Sequence, residues 1–346
     1  MRREEARAER LLVFFDLPYA QGPDGIYCQD AFWIFLQSLG ERFAELVVLG
    51  RMQTDDQTPR YRCEEAKKIV FHALPPFSSL YSTGEVLRGL PRLARRIWEP
   101  VGRCDAMLLT IPHPWTLVLW CVGRLRGKRI AFMARADLQE LVKYRAPLGR
   151  RRRVRFAAWL FEGVFVRLSR TTLTFAVADV VARRYQRPRS PVHAILISTV
   201  RAAAIRPRAA RGVSDACATR LLWVGRVDRE KRPDLLLASF RDLCDRRPGS
   251  LQLDVVGRGP LLAEVEKLAA QLGVGDRVRF HGYVPLGPEL RRLYEAADLL
   301  VHSSATEGFP QVIFEAMAAG LPVVTTAAGG VPTLLEDGVN AILVPR

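Results

Sequence analysis

The 346-residue sequence predicts two α/β domains, each a doubly wound parallel sheet with helices on both faces. Three observations carry that expectation. Short apolar and β-branched runs recur along the chain and alternate with longer amphipathic stretches. Several of these runs stop at glycine turns, the places where open α/β sheets bind ligands. A length of 346 residues, at roughly 100–200 per domain, makes two domains.

In the first half, Leu11–Asp16 predicts a strand. A glycine-containing loop through Gly22 and Gly25 follows, then a helix from about Gln29 to Leu39. Leu46–Leu49 and Ile69–Phe71 are further strands. Asp105–Thr110 is a strand ending near His113, which Pro112 and Pro114 flank. Arg129–Met133 and Leu173–Val177 continue the alternation. The stretch 205–212, polar and rich in small residues, begins a linker placed at 205–218. The domains are then 1–204 and 219–346.

In the second half, Leu221–Arg226 reads as a buried strand ending in Gly225 and Arg226. A turn through Pro233 and a helix follow, so Arg226 and Lys231 meet at the C-terminal end of a parallel strand. Leu251–Val256 runs into a turn with Gly257, Gly259 and Pro260, and then a helix. Val278–Pro285 is a short strand and turn, and Ala297–Ser304 leads into the loop at Thr306. Pro322–Thr326, followed by Gly329 and Gly330, and Ala341–Val344 are the last strands.

The stretch Thr306–Met317 carries the most chemistry. Glu307 sits in a turn, Gly308 lets the backbone approach a ligand closely, and Pro310 suits the first position of a helix. Glu315 follows on that helix, which ends at Gly320. The free N–H groups of a helix start favour phosphate. Two flanking carboxylates suit hydroxyls instead, as on a sugar or a ribose. Taken alone, the same stretch is also an ordinary amphipathic helix with two surface glutamates.

Together these segments resemble the family-four retaining nucleotide-sugar glycosyltransferases, which have the GT-B architecture of two Rossmann-like domains facing a cleft. The resemblance rests on Gly225-Arg226 with Lys231, Gly257-x-Gly259-Pro260, Gly282-Tyr283-Val284, Glu307 with Glu315, and Gly329-Gly330. It covers 219–346 well and the first half weakly. It implies that Arg226 and Lys231 hold the donor diphosphate, with the backbone of Gly308, Phe309 and Pro310 around it. Glu307 would contact the donor sugar, Glu315 the ribose, and the backbone near Tyr283 and Val284 would lie beside the base. Thr333 departs from the family, where many relatives carry glutamate after the Gly-Gly-x-Pro turn. On the acceptor side the resemblance offers Gly22, Asp24, Gly25 and Tyr27 on a loop, and Arg135 and Asp137 beyond a strand end. His113 lies near a family histidine that faces the donor sugar, and reads equally as a structural residue. Relatives continue past the last strand with further helices, so the chain is expected to lack them.

The implied reaction moves a hexose-type sugar from a nucleoside diphosphate sugar to a hydroxyl acceptor, with Glu307, Arg226, Lys231 and His113 as candidate catalytic residues. No D-x-D occurs in the sequence, so fixed cations are expected in place of a metal, and no cofactor is expected. Two alternatives share parts of the pattern. A GT-B sugar-nucleotide epimerase would have the donor chemistry without an acceptor. A nucleotide- or polyanion-binding module would use the charge but gives no reason for the glutamate pair.

Composition bounds the setting. The six cysteines are dispersed without C-x-x-C, which favours reduced thiols in the cytoplasm. No run approaches the ~18 apolar residues of a membrane span, and residues 1–10 are charged, unlike a secretory signal. Residues 121–190 hold 18 Lys and Arg against 4 Asp and Glu. Arg150, Arg151, Arg152, Arg153 and Arg155 precede Trp159, Phe161 and Phe165. The arginines suit an anionic membrane surface, whereas the apolar residues also suit a core helix. The expectation is a peripheral protein at the inner face of the membrane with a lipid-linked or saccharide acceptor. No nucleic-acid recognition module is present, and no nucleic-acid partner is expected.

Overall fold

The computed structural model describes residues 9–22, 25–28, 32–52, 61–63, 68–74, 83–135, 138–145, 151–198, 200, 205, 219–247, 251–308 and 310–345. The chain divides into two compact units, Met1–Arg135 with Trp159–Thr199, and Ala136–Ala158 with Val200–Arg346. The strands are β1 (Arg10–Gly22), β2 (Gly25–Cys28), β3 (Glu45–Met52), β4 (Tyr61–Cys63), β5 (Ile69–Leu74), β6 (Ala106–Ile111), β7 (Arg129–Ala134), β8 (Leu173–Val177), β9 (Val192–Ile195), β10 (Thr219–Val224), β11 (Leu251–Val256), β12 (Val278–Gly282), β13 (Leu299–His302), β14 (Val323–Thr326) and β15 (Ile342–Val344). The helices are α1 (Phe32–Gly40), α2 (Thr83–Arg103), α3 (Pro114–Leu125), α4 (Leu138–Arg145), α5 (Arg151–Leu168), α6 (Asp179–Tyr185), α7 (Pro233–Arg246), α8 (Leu262–Gln271), α9 (Pro288–Ala296) and α10 (Gln311–Ala318).

The first unit has a parallel sheet in the order β5-β3-β1-β6-β7-β8-β9. Its core gathers Leu12, Phe14, Leu109, Trp115, Phe132 and Phe165. α2 contains Pro91 and Pro100, which break helices in isolation. It persists because Leu93, Ile97 and Val101, four residues apart, are fully buried against the sheet.

The expected loop through Gly22 and Gly25 is instead a hairpin. β1 runs on to Gly22 and pairs antiparallel with β2, from Tyr19 opposite Cys28 to Gly22 opposite Gly25. β4 adds a third antiparallel strand, Tyr27 opposite Arg62. Backbone pairing with sequence-distant β4 settles this conformation, and no local pattern announces it.

The second unit has six parallel strands in the order β12-β11-β10-β13-β14-β15. Alternation along β10 splits its core in two. Leu221 and Trp223 face a cluster with Phe240 and Val265 from α7 and α8. Leu222 faces the other cluster, with Leu290, Tyr294 and Ile313 from α9 and α10. A strand covered on both faces is the signature of the doubly wound class. Residues 138–145 and 151–158, read from sequence with the first half, belong to this second unit. There Val142 and Ala158 join Leu138 and Val154 in a small apolar cluster, and α4 lies against the turn at 229–231.

The two opposite faces of α5 answer the question of its apolar residues. Phe165 is fully buried, and Phe161 packs edge-on against it at 5.3 Å. Both therefore belong to the core and are not available to a membrane. No helix among the described residues is long and apolar enough to cross one.

Candidate active site

In the second sheet the strand order reverses between β10 and β13, and the loops after these two strands flank that point. The first loop begins at Gly225. Gly257 adopts φ +139°, and a Cβ there would stand 1.8 Å from the Gly225 carbonyl oxygen. A Cβ on Gly259 would stand 2.2 Å from that of Val227. The two loops are stitched by Val227 N–H to Arg258 O and Leu261 N–H to Val227 O. The glycines of this turn thus serve close backbone approach, and their spacing follows from it.

Asp228 is the residue that sequence reasoning missed in this loop. It is buried, and its carboxylate caps the short 3-10 turn Arg229–Lys231 by accepting from Lys231 N–H. The same side chain accepts from Arg226 Nε at 2.9 Å and Nη2 at 2.7 Å. Arg226 is therefore oriented from below, although its side chain is 58% exposed. An Asp just ahead of a short helical turn is a capping signal, and that could have found it. Arg232 then adopts a left-handed conformation, φ 50° and ψ 53°. Ser303 Oγ donates to the carbonyls of Lys231 and Arg232 and accepts from Trp223 Nε1. This clasp holds the strained residue, whose conformation costs on the order of 1–2 kcal/mol.

The second loop carries Glu307. Lys231 Nζ forms an ion pair with Glu307 Oε1, so the pair bridges the loops after β10 and β13. His302, the last residue of β13, places Nε2 3.0 Å from the same oxygen and Nδ1 2.9 Å from Thr325 Oγ1 on β14. Burial alone would push the Glu307 carboxyl up, but the Lys231 ammonium and the His302 hydrogen bond outweigh it and hold the pKa at about 2. Glu307 is thus ionised with a side chain only 8% exposed. Among the described residues its hydrogen bonds all reach Oε1, none Oε2. Gly329, at φ +54°, would put a Cβ 1.7 Å from the Glu307 carbonyl oxygen, and Gly330 N–H donates to that oxygen. The Gly-Gly turn is a seat for the Glu307 backbone.

The remaining predicted residues fall as follows. Pro310 is the N-cap of α10 and stands one residue before the first helical position expected for it. Gly308 precedes it, and Phe309 lies outside the described residues. Glu315 on α10 accepts from Tyr294 Oη of α9 at 2.8 Å. Burial, then the Glu315 charge, push the Tyr294 hydroxyl well above its ordinary value. Val284 is buried in the core and Tyr283 is half-buried. In the first unit, His113 is buried and caps α3, Nδ1 accepting from Trp115 N–H at 3.2 Å. Its ring meets those of Phe14 and Trp115 edge-on. Gly22, Gly25 and Tyr27 lie in the β1–β2 hairpin, and half-buried Arg135 follows β7. Asp24, Asp137 and Arg150 lie outside the described residues, and Arg151–Arg153 open α5. No group of three or more His, Cys, Asp and Glu residues that would suit a metal ion gathers among the described residues.

Residues 215–346 match the family of glycosyl transferases group 1. That stretch spans all six strands of the second sheet and both loops of the candidate site. Over 132 residues it is 44% identical to a D-inositol 3-phosphate glycosyltransferase of Streptomyces griseus, an alignment that takes in 36% of this chain and 28% of the relative. The chain therefore matches well under half the length of that relative. Whole-chain likeness lies in the fold. The structure of HepE from Anabaena, in complex with UDP and glucose, superposes with a TM-score of 0.65 at 18% identity, covering 98% of this chain and 86% of HepE. WaaG, a glycosyltransferase involved in lipopolysaccharide biosynthesis, superposes with 0.69 at 18% identity, covering 97% and 86%. The two units are thus the two parallel-sheet units of the GT-B fold, as the sequence predicts.

Proposed function

We propose that the protein is a retaining glycosyltransferase that moves a hexose-type sugar from a nucleoside diphosphate sugar to a hydroxyl acceptor. The observation that carries this reading is the Lys231–Glu307 ion pair across the reversal point of the second sheet. A departing diphosphate needs fixed positive charge, and Lys231 with Arg226 supplies it by preorganised electrostatics. An ionised carboxylate with one oxygen held by protein donors and the other turned elsewhere suits a sugar hydroxyl. Glu315, about one turn into α10, is assigned to the ribose. HepE in complex with UDP and glucose supports a nucleotide-sugar donor of this class. The cations stand in for a metal, so activity should persist in EDTA. Complete loss restored by manganese or magnesium would overturn that part.

The test is incubation with a panel of nucleotide sugars, with and without membrane lipid extract, scoring nucleoside diphosphate release. Release that rises with the lipid extract is the expected result. Conversion of the sugar without release would make it an epimerase, and nucleotide binding without either would make it a binding module.

The acceptor is assigned as lipid-linked, and the protein as peripheral at the inner membrane face. What supports this is the outer face of α5. Phe156, Trp159, Leu160 and Val164 are between 43% and 61% exposed, on the face opposite Ala158, Phe161 and Phe165, with Arg155 and Arg167 exposed among them. Each basic residue near an anionic surface adds about 1 kcal/mol, screened by salt. WaaG acts in lipopolysaccharide biosynthesis, which is compatible with such an acceptor. Flotation with anionic vesicles should recover the protein at low salt and lose it at high salt. Equal recovery with neutral vesicles, or no change when Arg150–Arg153 become glutamine, would return the acceptor to a soluble saccharide.

A further inference from the structure

We propose that His302 is a positioning residue for Glu307, holding the carboxylate in place when Lys231 turns to the donor diphosphate; this rests on the donor-site reading above. The two donors to Glu307 Oε1 are unlike. Lys231 is a long side chain, 21% exposed, whose ammonium has three protons and freedom to turn. His302 is 4% exposed, and its ring is held from behind by Thr325, itself fully buried. A phosphate arriving beside Lys231 competes for the ammonium. A buried carboxylate that lost its only cation would be driven to move or to take up a proton. His302 meets that need. Ionised Glu307 can only accept, so the proton of this bond sits on Nε2, and the ring is a fixed donor to Oε1.

The surrounding shell is built to keep the ring there. Thr326 Oγ1 donates to Ser304 O, and Ser304 Oγ donates to the carbonyls of Glu230 and Thr306. Ser303, Ser304, Thr325 and Thr326 are all buried. Among the described residues, the titratable side chains that meet Glu307 are Lys231 and His302 alone. Neither helix α9 nor α10 brings another to it.

Three substitutions test the proposal on the full chain: His302→Leu, His302→Gln and Thr325→Val. The first readout is the titration of the Glu307 carboxyl by carbon NMR, assigned by its disappearance in Glu307→Gln. His302→Leu should raise that pKa by about one unit or more, the effect of losing a hydrogen bond to a charge. His302→Gln, whose amide N–H reaches as the ring Nε2 does, should recover most of the shift. The second readout is kinetic. His302→Leu should lower kcat about tenfold or more with KM within about threefold, because the need for His302 arises only once Lys231 has engaged the donor. An unmoved Glu307 titration in His302→Leu, or a KM rise at unchanged kcat, overturns the proposal. Should His302→Leu fail to fold, Thr325→Val leaves the imidazole in place and removes only its support. It should then shift the Glu307 titration in the same direction, and no shift overturns the proposal. A wild-type protein that releases diphosphate from no nucleotide sugar overturns the donor-site reading, while the titration still decides whether His302 positions Glu307.

Discussion

The two units put opposite chemistry at equivalent points of their sheets. In the second unit the strand order reverses between β10 and β13, and there Lys231, Glu307, His302 and Thr325 form a connected polar chain. In the first unit the reversal falls between β1 and β6, and the loop after β6 supplies His113, buried among the rings of Phe14 and Trp115 and engaged in capping α3. One end is charged and the other is aromatic. A charged site inside a protein demands partners for every group, so the second unit devotes Asp228, Ser303 and the Gly329–Gly330 turn to supporting it.

The largest expected effect comes from removing the charge. Lys231→Ala leaves the Glu307 carboxylate buried without its cation, which costs about 3–5 kcal/mol and lowers turnover about a hundred- to a thousandfold. Combining it with Glu307→Gln should restore most of the stability and none of the activity. Thermal melts and steady-state kinetics read both. Arg226→Ala should cut turnover with a smaller loss of stability, because Arg226 is mostly exposed and Asp228 keeps the Lys231 N–H as a donor. If the two variants melt alike, the contrast between a buried and an exposed cation fails.

Gly329→Ala should rank next. Its Cβ would collide with the backbone of Glu307, and φ +54° is strained for any side chain. A loss on the order of 2–4 kcal/mol is expected, with Glu307 displaced and turnover reduced. A stable, active variant would show that the Gly-Gly turn does not seat this loop.

Acid sharpens the comparison further. The folded pKa of Glu307 is depressed to about 2 from 4.5. Its contribution is therefore fully present above pH 4.5 and is lost as pH falls toward 2. Urea melts of the wild type should lose stability through that window more steeply than those of Glu307→Gln. Parallel pH profiles would mean that Glu307 is not held ionised by Lys231 and His302.

The smallest effect is expected in the first unit. His113→Ala removes a helix cap worth about 1 kcal/mol together with its ring packing against Phe14 and Trp115, and turnover should stay within a few-fold. A hundredfold loss of kcat at an unchanged melting temperature would move His113 from a structural to a sugar-facing role.

Legibility in the sequence follows the same division. The expectation for β8 matches its observed span, because Leu173–Val177 is a mainly apolar, strand-favouring run. Arg226 and Glu307 stand out because charge beside glycine is a local pattern, and Lys231 and Glu315 by their spacing from them. α2 is hidden by Pro91 and Pro100, and the β1–β2 hairpin by pairing with β4. Tyr294 and His302 look like ordinary members of a helix and a strand until their partners on other elements are known.

By itself the sequence determined where most strands lie, where glycine is compulsory and which charges stand at strand ends, since these depend on period and on local backbone conformation. Only the tertiary structure decided which charges meet. Lys231 and Glu307 are 76 residues apart, and they touch because β13 pairs with β10. Parallel pairing at that separation is chosen by burial of whole elements on both faces of a sheet, and no local pattern specifies it. The assignment of residues 138–145 and 151–158 to the second unit has the same origin, for a helix that is apolar on one side can find its partner anywhere in the chain.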